Sequence, residues 1–546
     1  MFTRGLRIGT AVGSLVLLFA CSTSSKRSDA SLGSPDGPGE ADLVAGAGGT
    51  ADAPLATGGA TGTGGPRTGG NSGVGGAGTA GAGGTGGAGG KGGTLGSGGG
   101  AGDSDAGALR DSAVTDTSTA LDARDANPAN DLGVDRLAAV DSAPCLHEFD
   151  NPSCWAIQDL SVVHPNGTLL GGIYDGKRVY FPGSIRGGLS GWWNGNTTGV
   201  GQMLSYDPRD DFRSDSSWTV FSTPDANPAA FAFAGAVFDG RYIYYPPFNP
   251  SGESVALRYD TGASFTEAAS WASADLHTFN GAFRPVGYVG GTFDGRYVYF
   301  VPNCFYEYWN GLVLRYDVQG TFADKASWSV FDTQKLDYDA GGFIGVAFDG
   351  RYLYFAPWGD LSSNTAHRNA TPITRFDTRA SFTDATSWTI FDALKLSPTA
   401  GFGGAVFDGR FVYFLPGDYQ SGDVVLRYDT KADFASSSSW TGFSVGGVAR
   451  RTTRFMGGVF DGRYLYLVPT ATGDVAVRYD TTAEFSAASS WAAFDVKGWD
   501  ARAEGFGGGV FDGRYVYLVP AFGHMIVRFD AYSTPVTLNP LPASFL

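Results

Sequence analysis

The sequence predicts an all-β fold, a seven-bladed β-propeller with four antiparallel strands in each blade. Three observations lead to this prediction. An Asp-Gly pair between two runs of β-branched and aromatic residues occurs seven times, at intervals of 51 to 64 residues. Each copy holds segments for four short strands, and the strand that the last copy lacks stands ahead of the first. A period in this range is typical of repeat proteins, so each copy predicts one blade.

The Asp-Gly pairs predict the turns of seven β-hairpins, because Asp-Gly suits the two-residue loop of a hairpin. A glycine stands four residues before each Asp, which predicts close approach of another backbone, as at the axis of a propeller. A tyrosine follows five residues after each Asp and suits the layer between adjacent sheets. The pairs begin at Asp175, Asp239, Asp294, Asp349, Asp408, Asp461 and Asp512.

The third and fourth strands are predicted from two further repeated motifs. The third strand ends in Arg-Tyr-Asp or Arg-Phe-Asp in six copies, whereas the first copy has serine at position 205 in place of the arginine. About ten residues later, Ser-Trp begins the fourth strand. The seventh copy stops after Asp530, and a matching Trp155 precedes the first copy. We therefore expect the N-terminal strand to close the ring, which removes two free sheet edges. The alternative is that residues 535–539 complete the last blade.

These motifs together resemble a Kelch repeat over residues 154–530. The resemblance lies in the hairpin, the third strand ending in Tyr-Asp and the tryptophan that opens the fourth strand. The chain departs from Kelch units where it ends the second strand in Val-Pro or Leu-Pro instead of Gly-Gly, and where the Asp-to-Trp spacing is longer. The resemblance implies a propeller fold and no single activity.

The first 21 residues resemble the signal of a bacterial lipoprotein. Arg4 and Arg7 precede an apolar run over residues 8–20, which is too short to span a bilayer and suits a signal peptide. Leu-Phe-Ala-Cys at residues 18–21 resembles a lipobox, which implies that Cys21 carries acyl chains such as palmitate. Ser22 favours an outer-membrane or cell-surface destination. The alternative is an ordinary secretory signal with a chance cysteine.

Residues 22–143 predict a disordered linker, because they are rich in Gly, Ala, Ser, Thr and Asp and nearly lack aromatic residues. A flexible coil of this length has ends roughly 60 Å apart. Residues 144–546 then form one propeller domain, which we expect to be monomeric. The net charge of −16 and the lack of a basic run argue against nucleic-acid binding.

Two of the four cysteines, Cys145 and Cys154, are close enough in sequence to form a disulfide beside the ring closure. An exported protein would meet the oxidising conditions that this bond needs. The alternative is two unpaired thiols.

Repetition within the chain separates scaffold from candidate site. Residues present in every blade are expected to be structural, although a sevenfold array of identical binding sites is the alternative. Ligand binding is instead expected in the connections that differ between copies, where aromatic residues and charges suit a carbohydrate or a protein partner. The candidate residues are Trp192, Trp193, His277, Arg284, Tyr306, Tyr308, Trp309, Trp358, His367, Arg368, Tyr419, Trp499, Arg502 and His524.

Signals for catalysis are weak, so we predict no catalytic residue, cofactor or metal. The chain has no Gly-x-Ser-x-Gly, His-Glu-x-x-His or Cys-x-x-Cys motif. His277, His367 and His524 belong to separate blades, whereas metal ligands must lie within about 2 Å of one ion. The sequence favours a non-catalytic binding module on a cell-envelope lipoprotein. Two alternatives are a glycan-active hydrolase or lyase with acidic loop residues and a structural envelope lipoprotein.

Overall fold

The computed structural model describes residues 145, 147–165, 168–184, 201–248, 254–277, 287–305, 308–358, 372–397, 401–417, 422–450, 454–470 and 473–532. Seven four-stranded antiparallel sheets form a seven-bladed propeller, as the sequence predicts. The predicted signal peptide with Cys21 and the predicted linker lie outside these residues. Within the described ranges, no helix has the length and apolar character needed to cross a membrane.

The strands follow the predicted order in every blade, from the innermost strand outward. The first strand of the chain, β1 (Trp155–Asp159), belongs to blade 7. Blades 1 and 2 consist of β2 (Ile173–Tyr174), β3 (Val179–Pro182), β4 (Gln202–Tyr206) and β5 (Trp218–Ser222), and of β6 (Val237–Phe238), β7 (Tyr242–Tyr245), β8 (Val255–Asp260) and β9 (Trp271–Asp275). Blade 3 consists of β10 (Tyr288–Phe293), β11 (Tyr297–Pro302), β14 (Leu312–Asp317) and β15 (Trp328–Asp332), with an added hairpin of β12 (Cys304–Phe305) and β13 (Tyr308–Trp309).

The remaining four blades are equally regular. Blades 4 and 5 consist of β16 (Phe343–Phe348), β17 (Tyr352–Pro357), β18 (Pro372–Asp377) and β19 (Trp388–Asp392), and of β20 (Phe402–Phe407), β21 (Phe411–Pro416), β22 (Val424–Asp429) and β23 (Trp440–Ser444). Blades 6 and 7 consist of β24 (Phe455–Phe460), β25 (Tyr464–Pro469), β26 (Val475–Asp480) and β27 (Trp491–Asp495), and of β28 (Phe506–Phe511), β29 (Tyr515–Pro520), β30 (Met525–Asp530) and the outermost β1.

Short helices flank the fourth strands. A 3₁₀ turn directly precedes each of them, at Pro152–Cys154, Asp215–Ser217, Ala268–Ser270, Lys325–Ser327, Ala385–Ser387, Ser437–Ser439 and Ala488–Ser490. Five further turns follow a fourth strand, at Thr223–Asp225, Thr333–Lys335, Ala393–Lys395, α1 (Gly446–Ala449) and α2 (Val496–Trp499).

The antiparallel order gives the propeller two different faces. The Asp-Gly turns and the turns between third and fourth strands lie on one face, which we name the turn face. The connections from second to third strands, and from each blade to the next, lie on the opposite face, which we name the connection face. Those predicted ligand-binding residues that the structure describes belong to connections of this second face.

Each Asp-Gly turn is held by the tyrosine five residues later. The tyrosine hydroxyl donates to Oδ2 of the aspartate in all seven blades, over 2.6 to 2.9 Å. Oδ1 accepts backbone N–H groups of the turn, as Asp294 does from Arg296 and Tyr297. The turn glycines have φ values of +95° to +104°, which glycine adopts readily. The tyrosines are buried, as predicted, and each also fixes a turn.

The inner-strand glycines lie where neighbouring blades approach each other. A Cβ atom built on Gly345 would lie 3.1 Å from the Cα of Gly404, and one on Gly404 would lie 3.0 Å from the Cα of Gly457. Three equivalent N–H groups donate to the preceding inner strand, from Gly171 to Gly507, from Gly235 to Leu170 and from Gly290 to Ala234. These contacts confirm the predicted close approach at the axis.

The third-strand arginines join adjacent blades. In six blades the guanidinium lies 4.0 to 4.4 Å from an aromatic ring of its own second strand and 4.2 to 5.0 Å from a phenylalanine ring of the next blade. Blade 1 differs, since Ser205 stands in place of the third-strand arginine and Arg178 stands where the other blades have the aromatic residue of the second strand. Its Nε–H donates to Ser205 Oγ over 2.7 Å. In blade 1 the guanidinium of Arg178 therefore bonds to the residue that replaces the arginine of the other blades.

The fourth-strand tryptophans are buried scaffold residues. Each indole N–H donates to the carbonyl of the phenylalanine six residues earlier, over 2.8 to 3.3 Å. Five of the indoles also stack on a phenylalanine of the preceding blade, with centroids 4.4 to 4.6 Å apart. Burial of these repeated residues agrees with a structural role and not with a sevenfold array of exposed sites.

The N-terminal strand closes the ring. Strand β1 pairs antiparallel with β30, from Trp155 opposite Phe529 to Asp159 opposite Met525. Phe149 occupies the repeated phenylalanine position, accepting from the Trp155 indole and lying 5.0 Å from the Arg478 guanidinium. The structure joins Cys145 to Cys154 by a disulfide. The alternative closing segment, residues 535–539, lies outside the described ranges.

Removing β1 should open the ring. We expect a chain that begins at residue 161 to melt at least about 10 °C below one that begins at residue 144, because truncation of one buried tryptophan alone costs about 3–5 kcal/mol. Thermal melts followed by circular dichroism measure the difference. The exposed edge of β30 should also cause association in size-exclusion chromatography. Equal melting temperatures would contradict closure by the N-terminal strand.

Candidate functional site

The seam between blades 7 and 1 brings several loop residues together on the connection face. The chain leaves β1 at Leu160, whose backbone N–H donates to the carbonyl of His524 over 3.0 Å. His524 lies in the connection between β29 and β30. The carbonyl of Leu160 in turn accepts the backbone N–H of His164 over 2.7 Å. One residue therefore holds the backbones of two histidines that are 360 positions apart.

His164 is a buried histidine that sequence reasoning did not select. It is 1% exposed, and its Nδ1 lies 3.0 Å from Oε1 of Gln202. Burial lowers the pKa of His164 to about 4, so the imidazole is neutral at neutral pH. Hydrogen bonds of the ring to the Thr168 backbone and to the Gln202 side chain act in the opposite direction, and burial outweighs them.

Two predicted site residues, Arg502 and His524, lie near the carboxylate of Asp159. The Ser161 backbone N–H, 2.9 Å from Oδ1, does most to hold the pKa of Asp159 below its usual value, and the charges of His524 and Arg502 act in the same direction. Arg502 is exposed and forms an ion pair with Asp500 over 2.7 Å. Nδ1 of His524 is buried without a partner in the part of the chain that is described.

Trp499 lies in α2, at the boundary between blades 6 and 7. Its ring is half-buried, with centroids 6.5 Å from Trp155 and 6.2 Å from Phe494. The Trp499 side chain therefore packs against the first residue of the closing strand.

Three further predicted residues lie elsewhere on the connection side of the propeller. Tyr308 and Trp309 form β13, opposite Phe305 and Cys304 of the added hairpin. His277 follows β9, and its backbone N–H donates to Asp275 Oδ1 over 2.9 Å.

Trp358 differs from the expected exposed ring. It is 5% exposed and belongs to the main hydrophobic core, and its backbone N–H donates to the Gly342 carbonyl over 2.9 Å. The other predicted ligand residues lie outside the described ranges and remain predictions, namely Trp192, Trp193, Arg284, Tyr306, His367, Arg368 and Tyr419.

Two large apolar side chains are exposed in the described ranges, and both lie on the connection face. Val162, between β1 and β2, is 72% exposed, and Tyr338, between β15 and β16, is 66% exposed. The sequence did not single them out, since single residues in connections carry no periodic signal. The available clue to Tyr338 was its position between Asp337 and Asp339 in a segment that differs from the other copies.

One group of three potential metal ligands occurs among the described residues, on the turn face. It comprises Cys145, His147 and Asp530, whose ligand atoms lie within 4.8 Å of one another. The sulfur of Cys145 is bonded to Cys154, and the Asp530 carboxylate pairs with Arg514 over 2.8 Å. These donors are therefore engaged in holding the ring closure.

Replacing Gln202 should destabilise the seam. In Gln202→Leu the buried Nδ1 of His164 loses its hydrogen-bond partner, and we expect the free energy of unfolding to fall by about 1–3 kcal/mol. Urea unfolding measures it. The control is Gln334→Leu, whose side-chain hydrogen bond to the Tyr338 carbonyl is exposed, with an expected loss below about 0.5 kcal/mol. Equal losses in the two variants would show that Gln202 does not hold His164.

Comparison with known proteins leaves the family open. No protein-family model matches the sequence, and no curated protein matches it. Among solved structures, PorZ, a surface component of the type-IX secretion system of Porphyromonas gingivalis, is 10% identical with a TM-score of 0.40, and the match covers 68% of this chain and 39% of that one. A chain of the mitotic checkpoint complex is 10% identical with a TM-score of 0.43, covering 73% and 99%. The WD40 domain of Toxoplasma gondii coronin is 8% identical with a TM-score of 0.39, covering 70% and 88%. Similarity this low carries no argument about function.

Proposed function

We propose that the propeller is a non-catalytic interaction module that binds a partner on its connection face. The observation that carries the proposal is the placement of Val162 and Tyr338. The repeated Tyr and Trp residues are buried within and between blades, whereas both exposed large apolar residues of the described ranges lie on one face. Burying exposed apolar side chains against a partner removes them from water and so favours binding.

The chemistry of this face favours a protein partner. Val162 is aliphatic and suits an apolar protein surface, whereas sugar rings stack on flat aromatic faces. Tyr338 combines a ring with a hydroxyl, and tyrosine is enriched among the residues that contribute most to protein interfaces. Asp337 and Asp339 flank it and can fix the orientation of a polar or basic group. Surface carbohydrate is the second candidate, because an aromatic ring such as that of Tyr338 suits a sugar ring.

The location that we propose is the outer membrane or cell surface, through a lipid anchor. Residues 18–21, which resemble a lipobox with Cys21 as the acylated residue, support this location. The length and the Gly-, Ala- and Ser-rich composition of residues 22–143, which are typical of a linker, support it as well. Acyl chains hold a protein on a membrane without a spanning helix.

The interaction face can be tested with a double variant. We expect Val162→Asp combined with Tyr338→Ala to weaken partner binding about tenfold or more, because loss of two interface anchors costs on the order of 1–2 kcal/mol each. The matched control is Lys177→Glu, an exposed residue of the turn face. Partners are captured from an outer-membrane extract on the immobilised protein, identified by mass spectrometry, and their affinities for the three proteins compared.

A glycan array run in parallel separates the candidate functions. Binding that the double variant retains and the turn-face variant loses would overturn the choice of face. Array binding with release of glycan products would instead favour a glycan-active enzyme.

Lipidation can be tested in the full chain. We expect Cys21→Ser to abolish labelling with an alkyne analogue of palmitate and to move the protein from the membrane fraction to the soluble fraction, because the acyl chains are its proposed anchor. Cys304→Ser, a cysteine of β12, is the control and should keep both properties. Membrane retention of an unlabelled Cys21→Ser protein would contradict the proposed anchor.

A further inference from the structure

We propose that the disulfide between Cys145 and Cys154 is a thiol-exchange site. Cys145 is the sulfur that reacts with a dithiol reductant, and the closure of blade 7 is the property that the exchange controls. The inference is independent of the proposed interaction function, because it concerns the turn face at the start of β1 and not the connection face.

The two sulfur atoms differ in accessibility. Cys154 is 4% exposed and lies in the hydrophobic core of the closure, directly before Trp155. Cys145 is only partly buried. A thiolate breaks a disulfide by attacking one of its sulfur atoms, and access helps to decide which one it reaches. Exchange therefore begins at Cys145.

The surroundings of Cys145 favour a thiolate once the disulfide is open. The backbone N–H of His147 donates to Cys145 Sγ over 3.3 Å, and Nδ1 of the same residue lies 3.9 Å from that sulfur. Hydrogen-bond donors and a protonated imidazole stabilise a thiolate. The nearby carboxylate of Asp530 would oppose the thiolate, but it is paired with Arg514 over 2.8 Å.

The exchange has two steps. A thiolate of the reductant attacks Cys145 Sγ, the bond between the two protein sulfurs breaks, and Cys154 leaves as a thiolate that takes up a proton. The second thiol of the reductant loses its proton and attacks the reductant sulfur bonded to Cys145, which leaves as a thiolate beside the His147 N–H. The dithiol is thereby oxidised to a disulfide, and the protein pair has gained two electrons.

Opening of the disulfide should weaken the closure of blade 7. In the other six blades the chain runs unbroken from the third strand to the phenylalanine that accepts from the fourth-strand indole. In blade 7 that phenylalanine is Phe149, and no turn joins it to β30. The disulfide instead ties the loop that carries Phe149 to the start of β1. Reduction gives this loop more conformational freedom when it detaches, so detachment of the loop and of β1 becomes more favourable.

The exchange is tested on the full chain with dithiothreitol in the absence of denaturant. We expect reduction at a rate that rises linearly with dithiothreitol concentration and exceeds the rate of global unfolding at least about tenfold, because the thiolate reaches Cys145 in the folded protein. Trapping with iodoacetamide and mass spectrometry measure the reduced pair. A reduction rate equal to the unfolding rate and independent of dithiothreitol would show a purely structural disulfide and overturn the proposal.

The reacting sulfur is identified with glutathione. Brief treatment of the wild type with reduced glutathione should place the mixed disulfide on Cys145, as peptide mass spectrometry locates it. Among the variants, Cys154→Ser should form a mixed disulfide with oxidised glutathione at least about tenfold faster at Cys145 than Cys145→Ser does at Cys154, because Cys154 is buried. Glutathione found first on Cys154 of the wild type would overturn the assignment.

Hydrogen exchange tests the effect on the closure and needs no variant. The amides of β1 should exchange at least about tenfold faster in the reduced wild type than in the oxidised one, because the closing strand detaches more often. The amides of β15, the fourth strand of blade 3, are the matched control and should keep their rates. Equal exchange of β1 in the two redox states would overturn the role of the disulfide in the closure.

Discussion

The structure depends on contacts that hold each blade to the next, because one four-stranded sheet cannot bury both of its faces alone. The third-strand arginine provides such a contact, since its planar guanidinium lies between a ring of its own blade and a phenylalanine of the following one. Attraction between a cation and an aromatic ring contributes about 0.5–2 kcal/mol per contact. Repeated around the ring and supplemented by the stacks of tryptophan on phenylalanine, these contacts fix the spacing of the blades.

The closure of the ring reproduces these contacts without a continuous backbone. In blade 6 the chain runs on from the third strand to the fourth, and in the turn between them the backbone N–H of Ala483 donates to the carbonyl of Asp480 over 3.0 Å. At the equivalent place in blade 7, His147 Nδ1 lies 3.1 Å from the Asp530 carbonyl oxygen, so a residue ahead of β1 contacts the end of β30. Phe149 and Trp155 then fill the ordinary repeat positions. The closure of blade 7 therefore has the same contacts as the other blades.

Features that recur in every blade could be predicted from the sequence. The hairpins, the four-stranded blades and the closing strand were predictable, because strand period and turn chemistry are local properties that recur in this one chain. The bond from each tyrosine hydroxyl to its turn aspartate was not predicted, although the spacing is constant, because the spacing alone does not say which polar group the ring reaches. The hydrogen bond from Arg178 to Ser205 was not predicted either, because it appears only when the two strands pair.

The candidate site was harder to predict than the scaffold. Exposure of Val162 and burial of Trp358 depend on the path of single connections, which no periodic pattern encodes. Nothing in the sequence distinguishes His164 from other histidines in connections, because its contact with Gln202 exists only in the folded chain. Sequence reasoning selected Arg502 and His524 from their unusual residue types in variable connections, and the structure places both near Asp159.

The disulfide between Cys145 and Cys154 has a mechanical consequence. A pull on the chain that precedes Cys145 passes through the two sulfur atoms to Cys154, directly beside Trp155. The intervening loop, which carries Phe149, is then bypassed and bears no load. Tension from the N-terminal side therefore reaches the first residue of β1 without displacing Phe149.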